Sequence, residues 1–183
     1  MIEGKLINLR TVKQSDLDEI IPLLSDTAER GEFLMPNMVN EPMYRKRYQE
    51  TGFWNEEFGS LLITDKEGKL LGDIAFFKGV NYLPGYEIGY NIFKRENRGK
   101  GYVTEALKLF SAYLFETKTI HRLEVHADNG NIGSRKVAEK CGFTYEGMKR
   151  QAVFSRGQYC DLAIYSMLRH ECPSFTELIR KEA

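Results

Sequence analysis

Arg98-Gly99-Lys100-Gly101-Tyr102-Val103-Thr104-Glu105-Ala106 is a glycine-rich turn running into an amphipathic helix, and it follows a strand-like segment, Tyr86 to Phe93. That order can hold a phosphate. A helix N-terminus presents unpaired N–H groups and the positive end of a dipole, and glycines let the backbone approach an anion closely. The same residues also suit an ordinary tight strand-to-helix connection. Two better-known phosphate loops are excluded. The Walker pattern needs four residues between its first glycine and Gly-Lys, and the dinucleotide fingerprint needs a third glycine where this chain has Thr104.

Other side chains capable of chemistry lie on either side of this turn. Glu87 shares a strand face with Gly89 and Asn91, opposite Tyr86, Ile88 and Tyr90. Glu124 and His126 share one face of a later strand, where a structural pairing is the simpler use for them. Asn131 can cap a short helix that carries Ser134 one turn in. His121, His126 and His170 lack the grouping of a metal site, and Cys141, Cys160 and Cys172 form no CxxC, so no metal is expected. Cys141, after a helical pattern, and Cys160, in a strand-like run, read as small buried hydrophobes.

These groups need elements to position them. Val103, Ala106, Leu107, Phe110, Tyr113 and Leu114 recur at the helical period, so the helix after the turn is anchored by one apolar face and ends near Thr117. Upstream, Lys5 to Val12 reads as a first strand. Ser15 opens a Ser-x-x-Asp helix start, with Leu17, Ile20, Ile21 and Leu24 on one face. Residues 31–58 are rich in Met and aromatics, with Pro42 near the start of a second helix, and suit either cover for a sheet or an adaptable pocket wall. Leu61 to Thr64 and Lys69 to Phe77 flank the hairpin signal Asp65-Lys66-Glu67-Gly68, and Asn81 to Gly85 forms a further turn. Arg122 to Ala127 is a strand, Asn131 to Gly142 a capped helix, and 145–154 with 158–168 a long hairpin. The fold class is therefore α/β (α+β): a mixed, mostly antiparallel central sheet with one parallel strand–helix–strand crossover and helices on both faces. One domain over 1–183 is expected, with its core at about 7–168 and a helical tail at 173–183.

Lys+Arg and Asp+Glu both total 26, so the net charge is zero and direct nucleic-acid binding is not expected. No run approaches transmembrane length and the N-terminus lacks a signal-peptide core, which points to a soluble cytoplasmic protein without a membrane partner. The final hairpin and tail could serve a homodimer.

Taken in order, the chain resembles the GNAT superfamily of acetyl-CoA-dependent N-acetyltransferases, in the branch of the RimJ/RimL-like ribosomal-protein N-terminal acetyltransferases. The resemblance runs from Ile7 to Leu168 and is carried by Glu87-Ile88-Gly89-Tyr90, Arg98 to Ala106, Asn131-x-x-Ser134, Glu139-Lys140-Cys141-Gly142-Phe143, Glu146-Gly147, Gly157, Asp161 and Tyr165 to Leu168. It implies acetyl-CoA as cosubstrate. Arg98, Gly99, Lys100, Gly101, Tyr102, Val103 and Thr104 would form the pyrophosphate loop, with Val103 in place of the usual small residue. Backbone groups at Ile92 and Phe93 would hold the pantetheine arm and polarise the thioester carbonyl. Asn131 and Ser134 would contact the coenzyme, Ser134 at its sulfur, because the tyrosine many relatives carry corresponds here to Ala138.

Amine acetylation needs a neutral amine. An α-amine has a reference pKa near ~8 and a lysine amine near ~10.4, so the α-amine needs only about a tenfold correction at neutral pH, and one carboxylate or a water chain suffices as base. Glu87 is the first candidate, beside the alternative of an ordinary hydrogen-bonded strand residue. The expected reaction is direct attack of a primary amine on acetyl-CoA, with a protein N-terminal α-amine as acceptor. The rivals are a small amine (antibiotic, polyamine or amino acid) and a coenzyme-binding sensor without catalysis.

Overall fold

The computed structural model describes residues 1–36, 38–79, 82 and 84–179. Eight strands form one sheet: β1 (Ile2–Glu3), β2 (Asn8–Thr11), β3 (Phe58–Thr64), β4 (Leu70–Phe77), β5 (Gly85–Ile92), β6 (Arg122–Asp128), β7 (Thr144–Ser155) and β8 (Gln158–Leu168). Their spatial order is β1-β2-β3-β4-β5-β6-β8-β7, and every neighbouring pair is antiparallel except β5 with β6. The helices are α1 (Leu17–Ser25), α2 (Glu41–Thr51), α3 (Tyr102–Thr117), α4 (Ile132–Lys140) and α5 (Phe175–Ile179). The mixed sheet with a single parallel crossover is the architecture expected from the sequence. The turn expected at Asn81 to Gly85 lies partly outside the described residues, as does the end of the tail beyond Ile179.

Strand alternation gives the sheet two apolar sides. Leu61, Ile63, Ile74, Phe76, Ile88, Leu123, Val125 and Tyr165 pack with Ala106, Leu107, Phe110 and Leu114 of α3 and Ala138 of α4. Leu62, Leu70 and Phe93 face the other way and meet Leu17, Ile20 and Ile21 of α1 and Phe53 after α2. Tyr44 and Tyr48 of α2 close this second cluster, with ring centroids 4.6 and 5.5 Å from that of Phe53. Because α3 must be buried along most of its length, residues beyond the single apolar stripe are also covered, including Leu109, Ala112 and Phe115.

Two local readings are corrected. The first strand covers only Asn8–Thr11, with a separate two-residue strand before it. The backbone N–H groups of Lys5, Leu6 and Ile7 donate instead to the Glu105 carboxylate in the first turn of α3, at 2.7, 2.8 and 3.0 Å, so those amides are withdrawn from the ladder. At the start of α1 the N-cap position is Asp16, not Ser15, and the Asp16 side chain closes the turn before the helix instead of capping the helix itself. Asp16 accepts from the Lys13 N–H at 2.7 Å and pairs with Arg10 at 2.6 Å, while Asp18 turns away to Arg45 at 2.6 Å. A cross-element ion pair has displaced a local cap.

Candidate active site

Parallel pairing of β5 with β6 covers only Gly85↔Arg122, Tyr86↔Leu123 and Glu87↔Glu124, although β5 continues to Ile92 and β6 to Asp128. Beyond Glu87 the two strands part. The ladder on the opposite edge of β5 decides which backbone groups line that gap. Phe93 donates its N–H to the Leu71 carbonyl at 2.9 Å, in phase with the β4–β5 pairs Asn91↔Asp73 and Gly89↔Ala75. By antiparallel alternation the N–H and C=O of Ile88, Tyr90 and Ile92 point the other way, into the gap. Of the two residues expected to polarise a thioester, Ile92 therefore has its N–H on the open side, and Phe93 has spent its own on the sheet.

The turn that follows presents the backbone groups that an anion cradle would need. Gly99 has φ 75° and Gly101 φ 86°, the left-handed region where glycine carries no Cβ penalty. A Cβ on Gly99 would meet nothing within 4 Å, and one on Gly101 only Leu6 Cδ1 at 3.6 Å, so these glycines answer to backbone conformation and not to crowding. Gly101 is the N-cap of α3, and Tyr102, Val103 and Thr104 form its first turn, whose N–H groups have no partner within the helix. Val103 is half-buried against the α3 side of the core, so its side chain turns away from the cradle. Lys100 is exposed. Arg98 is turned elsewhere: its guanidinium donates to the Glu29 carbonyl and reaches the Ile92 carbonyl at 3.5 Å, tying the segment after α1 to the end of β5.

Across the gap, Asn131 caps α4 by accepting from the Ser134 N–H at 3.0 Å. Ser134 Oγ lies 2.8 Å from the Tyr90 hydroxyl. Burial pushes the Tyr90 phenol up to about 12, against the lowering effect of the Ser134 hydrogen bond. The end of α4 is closed by Gly142 at φ 89°, with Gly142 N–H donating to the Glu139 carbonyl and Phe143 N–H to Ala138, both at 3.0 Å; this is the left-handed cap expected there. Cys141 donates its thiol to the Thr104 carbonyl at 3.3 Å, and burial pushes that thiol up to about 12, which leaves it no nucleophile.

On the α1/α2 side of the sheet, the two carboxylate-bearing faces read separately in the sequence become one array. His126 Nδ1 is 3.0 Å from Glu87 Oε2, and its Nε2 is 2.7 Å from Glu124 Oε2. A neutral imidazole has one N–H, so only the imidazolium donates to both carboxylates. Burial works against that charge, but Glu87 and Glu124 outweigh it and hold His126 above its ordinary value. The chain continues from Glu124 to Arg122 at 2.9 Å, from Arg122 to Glu146 at 2.7 Å and from Glu146 to the Ser166 hydroxyl at 2.6 Å. The joining of Glu87 to His126 was legible only through the crossover, since adjacency of β5 and β6 is what brings residues 87 and 126 together.

Two further groups carry no local sequence signal. Tyr90 is one; its partner depends on where α4 docks. Asp73 on β4 is the other: its Oδ1 is buried without a hydrogen-bond partner, and burial, only partly offset by nearby Arg30, pushes the carboxyl up to about 6. Among the described residues, no group of three or more His, Cys, Asp or Glu side chains is arranged to hold a metal ion, and no helix is long and apolar enough to cross a membrane.

Residues 7–144 match the family described as the acetyltransferase (GNAT) domain. The chain is 33% identical over 178 residues to the probable N-acetyltransferase YjcK of Bacillus subtilis, covering 92% of this chain and 97% of that one. It is 31% identical over 174 residues to the putative ribosomal N-acetyltransferase YdaF of the same organism, covering 90% and 92%. Two solved structures share the fold at low identity. RimL, a ribosomal alpha-N-protein acetyltransferase in complex with coenzyme A, superposes with a TM-score of 0.79 at 21% identity, covering 90% of this chain and 95% of that one. Spermidine N-acetyltransferase from Vibrio cholerae, in complex with CoA and spermine, gives 0.77 at 20%, covering 91% and 97%.

Proposed function

Because this chain belongs to the GNAT acetyltransferase family and is an acetyl-CoA-dependent N-acetyltransferase, we propose that its acceptor is the N-terminal α-amine of a protein, of the ribosomal-protein type. The observation that carries this reading is the pairing of three carboxylates on the α1/α2 side of the sheet, Glu87, Glu124 and Glu146, with cations of the protein itself. Glu87 and Glu124 share His126, and Glu124 and Glu146 share Arg122. A site for a polyamine would leave several carboxylates open to meet a multiply charged ligand; here the protein's own cations already occupy these three, and Asp73 is buried. A single α-amine needs one group to take one proton. The similarity to a putative ribosomal N-acetyltransferase agrees with this choice.

In this reading the first-turn N–H groups of α3, with Gly99 and Gly101, hold the coenzyme's pyrophosphate, and Lys100 adds positive charge. The pantetheine arm enters between β5 and β6, where the Ile92 N–H polarises the thioester carbonyl. The amine lone pair forms the new C–N bond, the proton it sheds passes to Glu87 directly or through water, and the C–S electron pair leaves on sulfur beside Ser134 and Asn131. A cytoplasmic setting, where ribosomal proteins and acetyl-CoA meet, belongs to the same reading. So does a homodimer built on the exposed side of β7 and β8, which carries Tyr145, Met148, Phe154 and Tyr159.

The test is release of CoA thiol from acetyl-CoA with a panel of peptides differing at their N-terminal residue, against spermidine and aminoglycosides. Turnover on peptides with free N-termini, lost when the terminus is blocked, is the expected result. Preference for polyamines would overturn the acceptor, and tight coenzyme binding without turnover on any amine would make the protein a sensor.

A further inference from the structure

Ser134 has one hydroxyl hydrogen, and its usefulness to a leaving sulfur depends on where that hydrogen points. A serine hydroxyl rotates freely and can donate once while accepting from others. In this structure one neighbour restricts it. The Tyr90 hydroxyl lies 2.8 Å from Ser134 Oγ and 3.3 Å from the Ser134 carbonyl. Tyr90 projects from β5 on the α3/α4 side, three residues past the last pair with β6, so its phenol spans from β5 to α4 beside the gap between the parallel strands. Its length and direction are set by the sheet, and Ser134 is held by the Asn131 cap.

We propose that Tyr90 is a positioning residue for acetyl transfer: it donates its phenolic hydrogen to Ser134 Oγ and thereby directs the serine's own hydrogen at the sulfur of the departing thiolate. This rests on the reading of Ser134 as the partner of the coenzyme's sulfur. Two orientations of the pair are open without coenzyme, Tyr90 to Ser134 or the reverse. When negative charge develops on sulfur, only the first places both O–H dipoles with their positive ends toward it, and each bond then strengthens the other.

The phenol does not act as the acid itself. Burial pushes Tyr90 up to about 12, whereas a thiol sits near ~8.5, so full transfer of the phenolic proton to the thiolate is disfavoured by more than about a thousandfold. The C–N bond forms, the C–S bond breaks, its electron pair stays on sulfur under the Ser134 hydrogen bond, and the thiolate takes its proton later from solvent. Tyr90 and Ser134 keep theirs throughout. Ala138 leaves the helix without a phenol of its own, and this one arrives from the sheet.

The discriminating measurement is a pH titration of the thiol of coenzyme A bound to the enzyme, followed by ultraviolet absorbance of the thiolate, alongside steady-state kinetics. In the wild type the bound thiol titrates at lower pH than free coenzyme A. Tyr90→Phe and Ser134→Ala each move that midpoint up by a similar amount and lower kcat by about 10- to 100-fold, with coenzyme affinity and melting temperature little changed. The double variant loses no more than either single one, since both remove the same directed hydrogen. A lower kcat in Tyr90→Phe with an unmoved thiol midpoint would make Tyr90 a structural strut, and additive losses in the double variant would make the two residues independent; either result overturns the proposal. A wild type that does not bind coenzyme A would remove the Ser134 reading as well. A wild type that transfers acetyl groups beside an unaffected Tyr90→Phe would remove this inference alone.

Discussion

Glu87, His126 and Glu124 are each half-buried, with side-chain exposures of 22, 13 and 23%, and their value lies in being joined. Alternation within each strand was enough to put Glu124 and His126 on one face, and Glu87 on the same side as Asn91. Their meeting depended on which strand lies beside which. Asp73 is the opposite case, a charge left over. Its folded pKa of about 6 lies above the ~3.9 of an unfolded aspartate, so the fold favours the protonated form. Its contribution to stability is full below the unfolded value and is lost as pH rises through the folded one. Asp73→Asn removes the ionisable group, and we expect it to stabilise the protein by ~1–3 kcal/mol at pH 8 and to gain little at pH 4. Urea midpoints at the two pH values check this; a loss of stability at pH 8 would show that the Asp73 charge is well satisfied.

At the scale of elements, the glycine turn and its helix were the most legible part of the chain, because their signals are local. Conformation alone demands Gly99 and Gly101, and the 3.6-residue period marks α3. Gly101→Ala places a methyl group in open space next to Leu6 but at φ 86°, where an L-residue costs ~1–2 kcal/mol. The helix should survive while its first turn is displaced, so acetyl-CoA affinity measured by calorimetry should fall at least tenfold with the far-ultraviolet spectrum unchanged. Unaltered affinity would sever the cradle from the coenzyme. Glu105 shows what local signals miss. It reads as an acidic residue suiting a helix N-terminus, yet it accepts from three amides nearly a hundred residues earlier. Glu105→Ala should cost ~1–3 kcal/mol and speed hydrogen exchange at Lys5, Leu6 and Ile7. Unchanged protection there would mean the N-terminal segment is held by its apolar contacts instead.

For the whole molecule, four titrating groups set the pH window of stability. Arg10 and the Lys13 N–H hold Asp16 below its ordinary value although burial opposes them, and Arg122 with the Ser166 hydroxyl does the same for Glu146. Stability from these two is lost as pH falls through their depressed folded pKa values. Asp73 and His126 are raised, and their contribution is lost as pH rises through theirs. Thermal melting from pH 3 to 9 should therefore peak on the acidic side, about pH 4–5, and His126→Gln should flatten the decline above pH 6.5. A maximum above pH 8 would contradict this balance. The sequence by itself determined the helical periods, the alternation and order of strands and helices from β3 to β8, and the glycine conformations at 99 and 101, because each depends on residues within one or two turns of chain. Only the tertiary structure decided that β5 parts from β6 after Glu87, that Phe93 N–H is spent on Leu71 while Ile92 faces the gap, that Arg98 ties down a loop, and that Tyr90 meets Ser134. Those outcomes depend on which edge of a strand is paired and where a helix docks, and both are settled by burying two apolar sides of one sheet at once.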